Sequence, residues 1–365
     1  MTANCKALAF LLLITSVCED GQDVDGDEAP KSEPHLTYTN GRLNQTNPLM
    51  IYVSPSGSDE NDGLSLAKAK KTLAGAHKAV VALDPATRDV FVEVQPGDYV
   101  AQKRTTWTYT MPKNTIRIGP PLGSSTRPYF TPCPSRSSSG TDCEDCYFFV
   151  LDKPGGVATN VHIENLELHR WLSGIALWGA SKYSVTGYQR RNRISGCFFH
   201  YIGDAHNPDF YRGEACISLR QSSDNIIENN RFQNIKNAAS SDYRFLHAVY
   251  IKNWSKRNVI RYNVFINVSG DVIRNRNGAN YTQVVSNTFI RAGEGALVQD
   301  YFDRAQDECP SWGVMVTDNS YDTNFTCGVV DVCEVEDSDV PSGCKSKTIP
   351  RISCSRNTPR TGACP

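Results

Sequence analysis

The chain has 365 residues, with 38 Lys+Arg against 39 Asp+Glu and seven His. That length supports a large core, and the near-neutral balance excludes a global field of the kind that draws a protein to nucleic acid or to a membrane surface. Its 13 Cys and the distribution of its apolar residues then decide compartment and architecture.

Met1-Thr-Ala-Asn-Cys-Lys6 is followed by an apolar run from Ala7 to Val17. This run is too short to span a bilayer and predicts a signal peptide over residues 1–18, hence a secreted, extracellular protein. No other stretch reaches 18 apolar residues, so no membrane association is expected. Residues 19–47 are acidic and polar with scattered Pro and Gly, and read as a flexible linker. Eleven Cys lie beyond the leader. Cys133, Cys143 and Cys146 crowd one segment, and Cys309, Cys327, Cys333, Cys344, Cys354 and Cys364 crowd the C-terminus. In an exported chain they predict disulfides. Cys197 and Cys216 read as a buried pair or as free thiols. Asn44, Asn253, Asn267, Asn280 and Asn324 each begin an Asn-x-Ser/Thr triplet and are candidate glycosylation sites.

Met50-Ile-Tyr-Val53 reads as a strand, followed by the turn-rich Ser54-Pro-Ser-Gly-Ser-Asp-Glu-Asn-Asp-Gly63. Ser65 is placed to cap a helix whose apolar residues recur as Leu66, Ala69, Leu73, Ala76, Val80 and Leu83. Val90-Phe-Val-Glu-Val94 is a strand closed by Pro96-Gly-Asp-Tyr99. The words Tyr52–Gly63 and Val92–Tyr99 resemble the N-terminal cap of the pectate-lyase-like right-handed β-helix superfamily. The resemblance extends over roughly residues 50–325. It implies an all-β, right-handed parallel β-helix with an N-terminal capping helix, but it does not fix an activity, because the fold carries several chemistries.

The second half repeats a phrase: apolar, two residues, Asn, one residue, aromatic. Copies are Ile227…Asn230-Arg-Phe232, Ile260…Asn263-Val-Phe265, Val284…Asn287-Thr-Phe289 and Val316…Asn319-Ser-Tyr321, with a degraded Gly196-Cys-Phe198 before them. The aromatic positions 198, 232, 265, 289 and 321 recur every 24–34 residues. Such a period means stacked units that share one core. The 24-residue copy holds three short strands and no helix, so each copy is expected to be one coil, with Phe residues stacked inside and Asn residues stacked at the turns. The β-helix domain is therefore assigned to 48–325. Residues 326–365 read as a Cys-rich tail that caps the far end.

Counting back from each Asn aligns Ser218, Tyr250 and Arg274, and two residues on Arg220, Lys252 and Arg276. Alternation turns both sets outward. Gln299 and Tyr301 follow on the next coil, and Glu214, His247 and Asp271 precede the strands. Residues 161–300 hold 17 Lys+Arg and 11 Asp+Glu. A column of cations with Tyr201, Tyr211, Tyr243, Trp254 and Tyr262 nearby suits an acidic polysaccharide, whose carboxylates pair with Arg and whose rings stack on aromatics. A plain solvated sheet face is the competing reading. A monomer is expected, with no nucleic-acid partner.

β-Elimination of a uronate needs a base for the C5 proton, neutralisation of the carboxylate and an acid for the leaving oxygen. Lys252, Asn263-Val-Phe265, Gly270 and Arg274-Asn275 resemble the site segment of β-helix alginate and chondroitin lyases. The resemblance implies Lys252 as base and Arg274 as activating residue or acid. Tyr250 and His247 are candidate supporting catalytic residues. Arg220, Arg276, Trp254, Tyr211 and Tyr301 are candidate substrate-binding residues. Where those lyases supply calcium ligands from Glu-x-Glu, this chain reads Cys216-Ile-Ser-Leu-Arg220; the acidic residues left for calcium are Glu214, Asp271 and Asp300. The same three are the candidate acid/base set for a hydrolase, although the chain has no Asp-Asp pair. A hydrolase, an epimerase and a non-catalytic carbohydrate-binding protein are the alternatives. Asp204-Ala-His206-Asn-Pro-Asp209 reads as a loop beside the groove, with a metal-ligand or epimerase-like carboxylate/His cluster as the alternative.

Overall fold

The computed structural model describes residues 47–133, 147–152, 158–179, 189–206, 212–238, 243–335, 340–341, 344 and 348–360. The expected signal peptide and linker, Cys143, Cys146, Cys364, Asn44, Tyr211 and residues 207–209 lie outside them.

Three long parallel sheets run along one axis, beside a two-stranded parallel pair of Gln189–Arg190 and Ser222–Ser223. The first has ten strands, from Leu49–Val53 to Ile352–Ser355. The second has nine, from Gly97–Gln102 to Thr358–Pro359. The third has eight, from Thr105–Trp107 to Asp331–Val335. Each complete coil gives one strand to each sheet. In one coil these are Ile226–Glu228, Arg231–Ile235 and His247–Lys252.

The core is a set of ladders. Phe199, Phe232, Phe265 and Phe289 stack with centroids 4.9, 4.8 and 4.9 Å apart and rings within 15° of parallel. All four are buried. Each such contact adds about 0.5–1.5 kcal/mol beyond the area it buries. The first member is Phe199; Phe198, expected inside, pairs with Arg231 and faces out. The Asn-x-Phe frame is kept, with Cys197 in the asparagine position: Cys197 N–H donates to Asn230 Oδ1 at 2.9 Å.

Asparagines form the second ladder. Asn230 N–H donates to Asn263 Oδ1, Asn263 to Asn287, Asn287 to Asn319, and Asn319 to Asn357, at 2.8–3.1 Å. Each of these amide groups also donates to a carbonyl of the preceding coil, as Asn263 Nδ2 does to Ile227 O at 2.9 Å. Buried turns otherwise leave backbone groups unpaired, and a short amide side chain repeated once per coil satisfies them. The residue before each ladder asparagine is left-handed: Asn229, Tyr262, Ser286, Asp318 and Arg356 have φ of 51–58°.

The helix at the N-terminal end spans Leu73–Leu83, starting seven residues later than the sequence pattern suggested. Asp59 accepts from the N–H groups of Lys71 and Thr72, and Thr72 Oγ1 then caps Gly75 N–H at 2.9 Å. Leu66–Lys68 is only a 3₁₀ turn, because Lys70 bridges to Val53 and pulls that segment extended. Leu73, Ala76 and Val80 bury the inner side of the helix, which packs on the edge strand Leu49–Val53.

At the other end the residues beyond 325 do more than cover the solenoid. Asp331–Val335, Ile352–Ser355 and Thr358–Pro359 extend all three sheets. Disulfides Cys309–Cys344 and Cys333–Cys354 tie this last coil down. Cys197 and Cys216 are free, buried thiols and do not pair. Asn253, Asn280 and Asn324 are buried, and their side-chain oxygens accept from Asn277, from Trp312 N–H and from Gly328 N–H, so these three triplets are committed to turns.

Candidate active site on the third sheet

The third sheet carries the predicted column. Its register pairs Trp178 with Arg220, Arg220 with Lys252, Lys252 with Arg276, and Arg276 with Tyr301. Beside it runs Ala176, Ser218, Tyr250, Arg274, Gln299 and Glu334. Leu177, Leu219 and Ile251 point the other way into the core. Strands in one sheet are about 4.8 Å apart, so the cations of three consecutive coils share one wall.

Unmatched cations that close repel, and the chain meets this with carboxylates of its own. Lys252 Nζ donates to Glu214, which also accepts from the Tyr147 hydroxyl. Glu214 stays below the ordinary carboxylate range: burial opposes ionisation, but the Lys252 ammonium and the two hydrogen bonds outweigh it. Tyr147 is pushed the other way, by burial and then by that carboxylate. Arg276 Nε donates to Glu308 at 2.7 Å, and its Nη1 to the Tyr250 hydroxyl at 3.3 Å. Arg274 pairs with Asp271 at 3.0 Å and donates from Nε to Gln299 at 2.9 Å. Tyr301 lies under both guanidinium groups, 4.8 Å from Arg274 and 5.2 Å from Arg276.

Arg220 differs. Its guanidinium stacks on Trp178, 4.6 Å from the ring centroid, and no carboxylate lies within ion-pair distance among the described residues. Its Nε and the Trp178 indole nitrogen are both buried and lack hydrogen-bond partners. Two adjacent donors without an acceptor are costly to bury and suit an incoming anion.

Tyr250 occupies the centre. Lys252 Nζ sits 4.6 Å above its ring, and Arg276 holds its hydroxyl. His247 packs beneath it, with rings 5.1 Å apart. His247 is buried, and its Nδ1 lies 2.8 Å from the Asp271 carbonyl oxygen. A carbonyl only accepts, so Nδ1 carries the proton. Burial, and then the charge of Arg274, drives this imidazole well below its ordinary pKa, and it is neutral. It positions Tyr250 and does not face the groove.

The remaining expected residues divide. Trp254 lies on the turn after the Lys252 strand, packed on Gly278, where a Cβ would sit 2.5 Å from its ring. Tyr201 follows a strand of the second sheet, and Tyr262 is an exposed turn residue, so neither joins this wall. Asp300 is a correction. It is the inward partner of Asn275, fully buried, and held by Arg351 Nε at 2.7 Å and Ser311 N–H at 3.0 Å. It cannot reach a groove ligand. With Asp300 inside and Glu214 and Asp271 each engaged by a cation, the expected acidic set does not assemble. Among the described residues no three His, Cys, Asp or Glu side chains converge on a metal-sized space. Sequence reading missed Tyr147, Trp178 and Glu308. Trp178 ends a strand whose coil has a degraded repeat, Tyr147 begins the third-sheet strand Tyr147–Asp152 that precedes the recognisable repeats, and Glu308 reaches the wall from a turn.

A family model described as "Right handed beta helix region" matches residues 145–306. A rhamnogalacturonan lyase superposes with TM-score 0.55 at 16% identity, over 75% of this chain and 68% of that one. An alginate lyase from Paenibacillus sp. str. FPU-7 gives TM-score 0.50 at 14% identity, over 85% of this chain and 96% of its own. The chain has the right-handed parallel β-helix fold. At these identities the likeness concerns the β-helix itself. No curated protein sequence matches the chain. No helix among the described residues is long and apolar enough to cross a membrane.

Proposed function

We propose that this β-helix is an extracellular polysaccharide lyase that cleaves a uronate-containing chain by β-elimination on the outer wall of its third sheet. The observation that carries the reading is Arg220, which among the described residues has no carboxylate within ion-pair distance, in a row where Lys252 and Arg276 each have one. Its two-pronged guanidinium matches a uronate carboxylate. The lyase neighbours support a polysaccharide substrate class.

In this reading the carboxylate of the bound sugar enters between Arg220 and Lys252. Neutralising it stabilises the negative charge that develops when C5 loses its proton. A base must be uncharged or anionic. Lys252 Nζ is engaged by the Glu214 carboxylate, so in this reading Lys252 is the neutralising cation and not the base the lyase resemblance implied. Tyr250 is the group placed for proton transfer. Its hydroxyl accepts from Arg276 Nη1, and an oxygen that can lose and regain a proton serves both C5 and the leaving oxygen. Arg274 and Tyr301 line the next coil as a further sugar subsite.

A second reading has its own support. Lys252, Arg274 and Arg276 are all satisfied internally, which also suits a wall that binds and does not cleave. Incubation with alginate, pectate, glucuronan and chondroitin separates them. A lyase produces the ultraviolet absorbance of unsaturated uronates, a hydrolase yields reducing ends without it, and a binding protein is retained on a uronate gel without product.

A further inference from the structure

A second cluster lies on another face. His169 and His200 are Cα partners on adjacent coils of the second sheet. The neighbouring Leu168 and Phe199 fill the core, so alternation turns both imidazoles outward. Their Nδ1 atoms are 3.3 Å apart, with ring centroids 4.5 Å apart. We infer that this pair is a bidentate site for a divalent transition cation such as Zn²⁺, bridging two coils on a face separate from the cation wall.

Three features support it. Two nitrogens on one tetrahedral zinc, each at about 2.0–2.1 Å, stand roughly 3.3 Å apart, the separation already present here. The ring orientation is built in: Phe198 stacks on His200 at 4.3 Å and 9°, and Tyr129 packs on His169 at 5.5 Å. Glu167 Oε1 lies 3.0 Å from the far nitrogen of His200, Nε2, without hydrogen-bond geometry, and brings negative charge beside the pair that favours a bound cation. His206, with a buried and unpartnered Nε2, packs on Tyr201 in the same cluster. Two protein nitrogens leave the remaining positions to water, so the site staples coils and need not take part in the elimination.

The test uses the full chain and ZnCl₂ in a weakly coordinating buffer, read by calorimetry and thermal denaturation. Wild type is expected to bind one equivalent, with a higher denaturation midpoint in excess zinc. His200→Ala is expected to weaken binding at least tenfold and abolish the midpoint shift, while His77→Ala leaves both unchanged. Imidazole ¹⁵N spectra of the wild type, which need no folded variant, are expected to shift at Nδ1 of His169 and His200. Absence of binding at millimolar zinc, or undiminished binding in His200→Ala, overturns the site and leaves a hydrogen-bonded pair. Neither result touches the lyase reading, because no uronate is present.

Discussion

Lys252 and Glu214 come from successive coils, 38 residues apart, and their ion pair decides which cation of the outer wall is left for a ligand. Glu214 has a lowered pKa in the folded chain, so the pair stabilises fully above the unfolded carboxyl's value of about 4.3 and is lost as pH falls through the lower, folded value. Urea unfolding of wild type and Glu214→Gln should therefore show a stability gap at pH 7 that closes toward pH 3. A gap that stays constant down to pH 3 argues against the pair as its source.

Tyr250 is expected to carry the proton. Tyr250→Phe keeps the ring between Lys252 and Arg276 and removes only the hydroxyl that accepts from Arg276. General acid–base groups contribute about 10²–10⁴-fold. The variant should lose at least a hundredfold in kcat with KM changed less than threefold. Lys252→Ala should instead raise KM as well as lower kcat, since it removes a charge that binds the carboxylate.

His247 tests the support beneath that ring. Its folded pKa lies well below the unfolded value of about 6.5, so the unfolded chain takes up a proton that the folded chain does not. Stability falls on this account as pH drops below about 6.5. His247→Gln should flatten part of the decline between pH 7 and pH 5. An unchanged slope means the imidazole is not buried neutral.

The asparagine ladder makes a separate prediction for the fold. Asn263 accepts from Asn230 N–H and Asn230 Nδ2, and donates to Ile227 O and Asn287 Oδ1. Asn263→Ala leaves buried backbone groups without partners, each costing about 1–3 kcal/mol. A loss of at least about 2 kcal/mol by denaturant unfolding is expected, and a loss below 0.5 kcal/mol contradicts the role given to the ladder.

The period of the chain was legible because each coil repeats the same solution: an inward Phe, and an Asn that pairs the turn below it. The outward alignment of Arg220, Lys252 and Arg276 followed from the same count, since alternation within a strand is strict. The first repeat was misread by one residue because Cys197 stands where the others have Asn. Asp300 was misread because alternation predicts a side and not an occupant. Asn275 and Asp300 sit in a column that Leu219 and Ile251 fill on earlier coils, and the compensating Arg351 comes from 51 residues away. Of the partners of the wall, Glu214 showed in the count as a residue preceding a strand, whereas Tyr147 stands in a strand before the repeat becomes regular and Glu308 in a turn outside it, so neither had a repeat signal.

The outer wall is proposed to take a uronate through the guanidinium of Arg220, which has no carboxylate within ion-pair distance among the described residues, and to cleave it by elimination. Initial rates of unsaturated-uronate formation on a panel of acidic polysaccharides, for wild type and Arg220→Gln, test it most directly. The account predicts elimination by wild type on at least one uronate polymer, and an increase of at least tenfold in KM for Arg220→Gln, equivalent to about 1.4 kcal/mol of lost binding. Elimination with an unchanged KM in Arg220→Gln, or no unsaturated product from any uronate polymer, contradicts it.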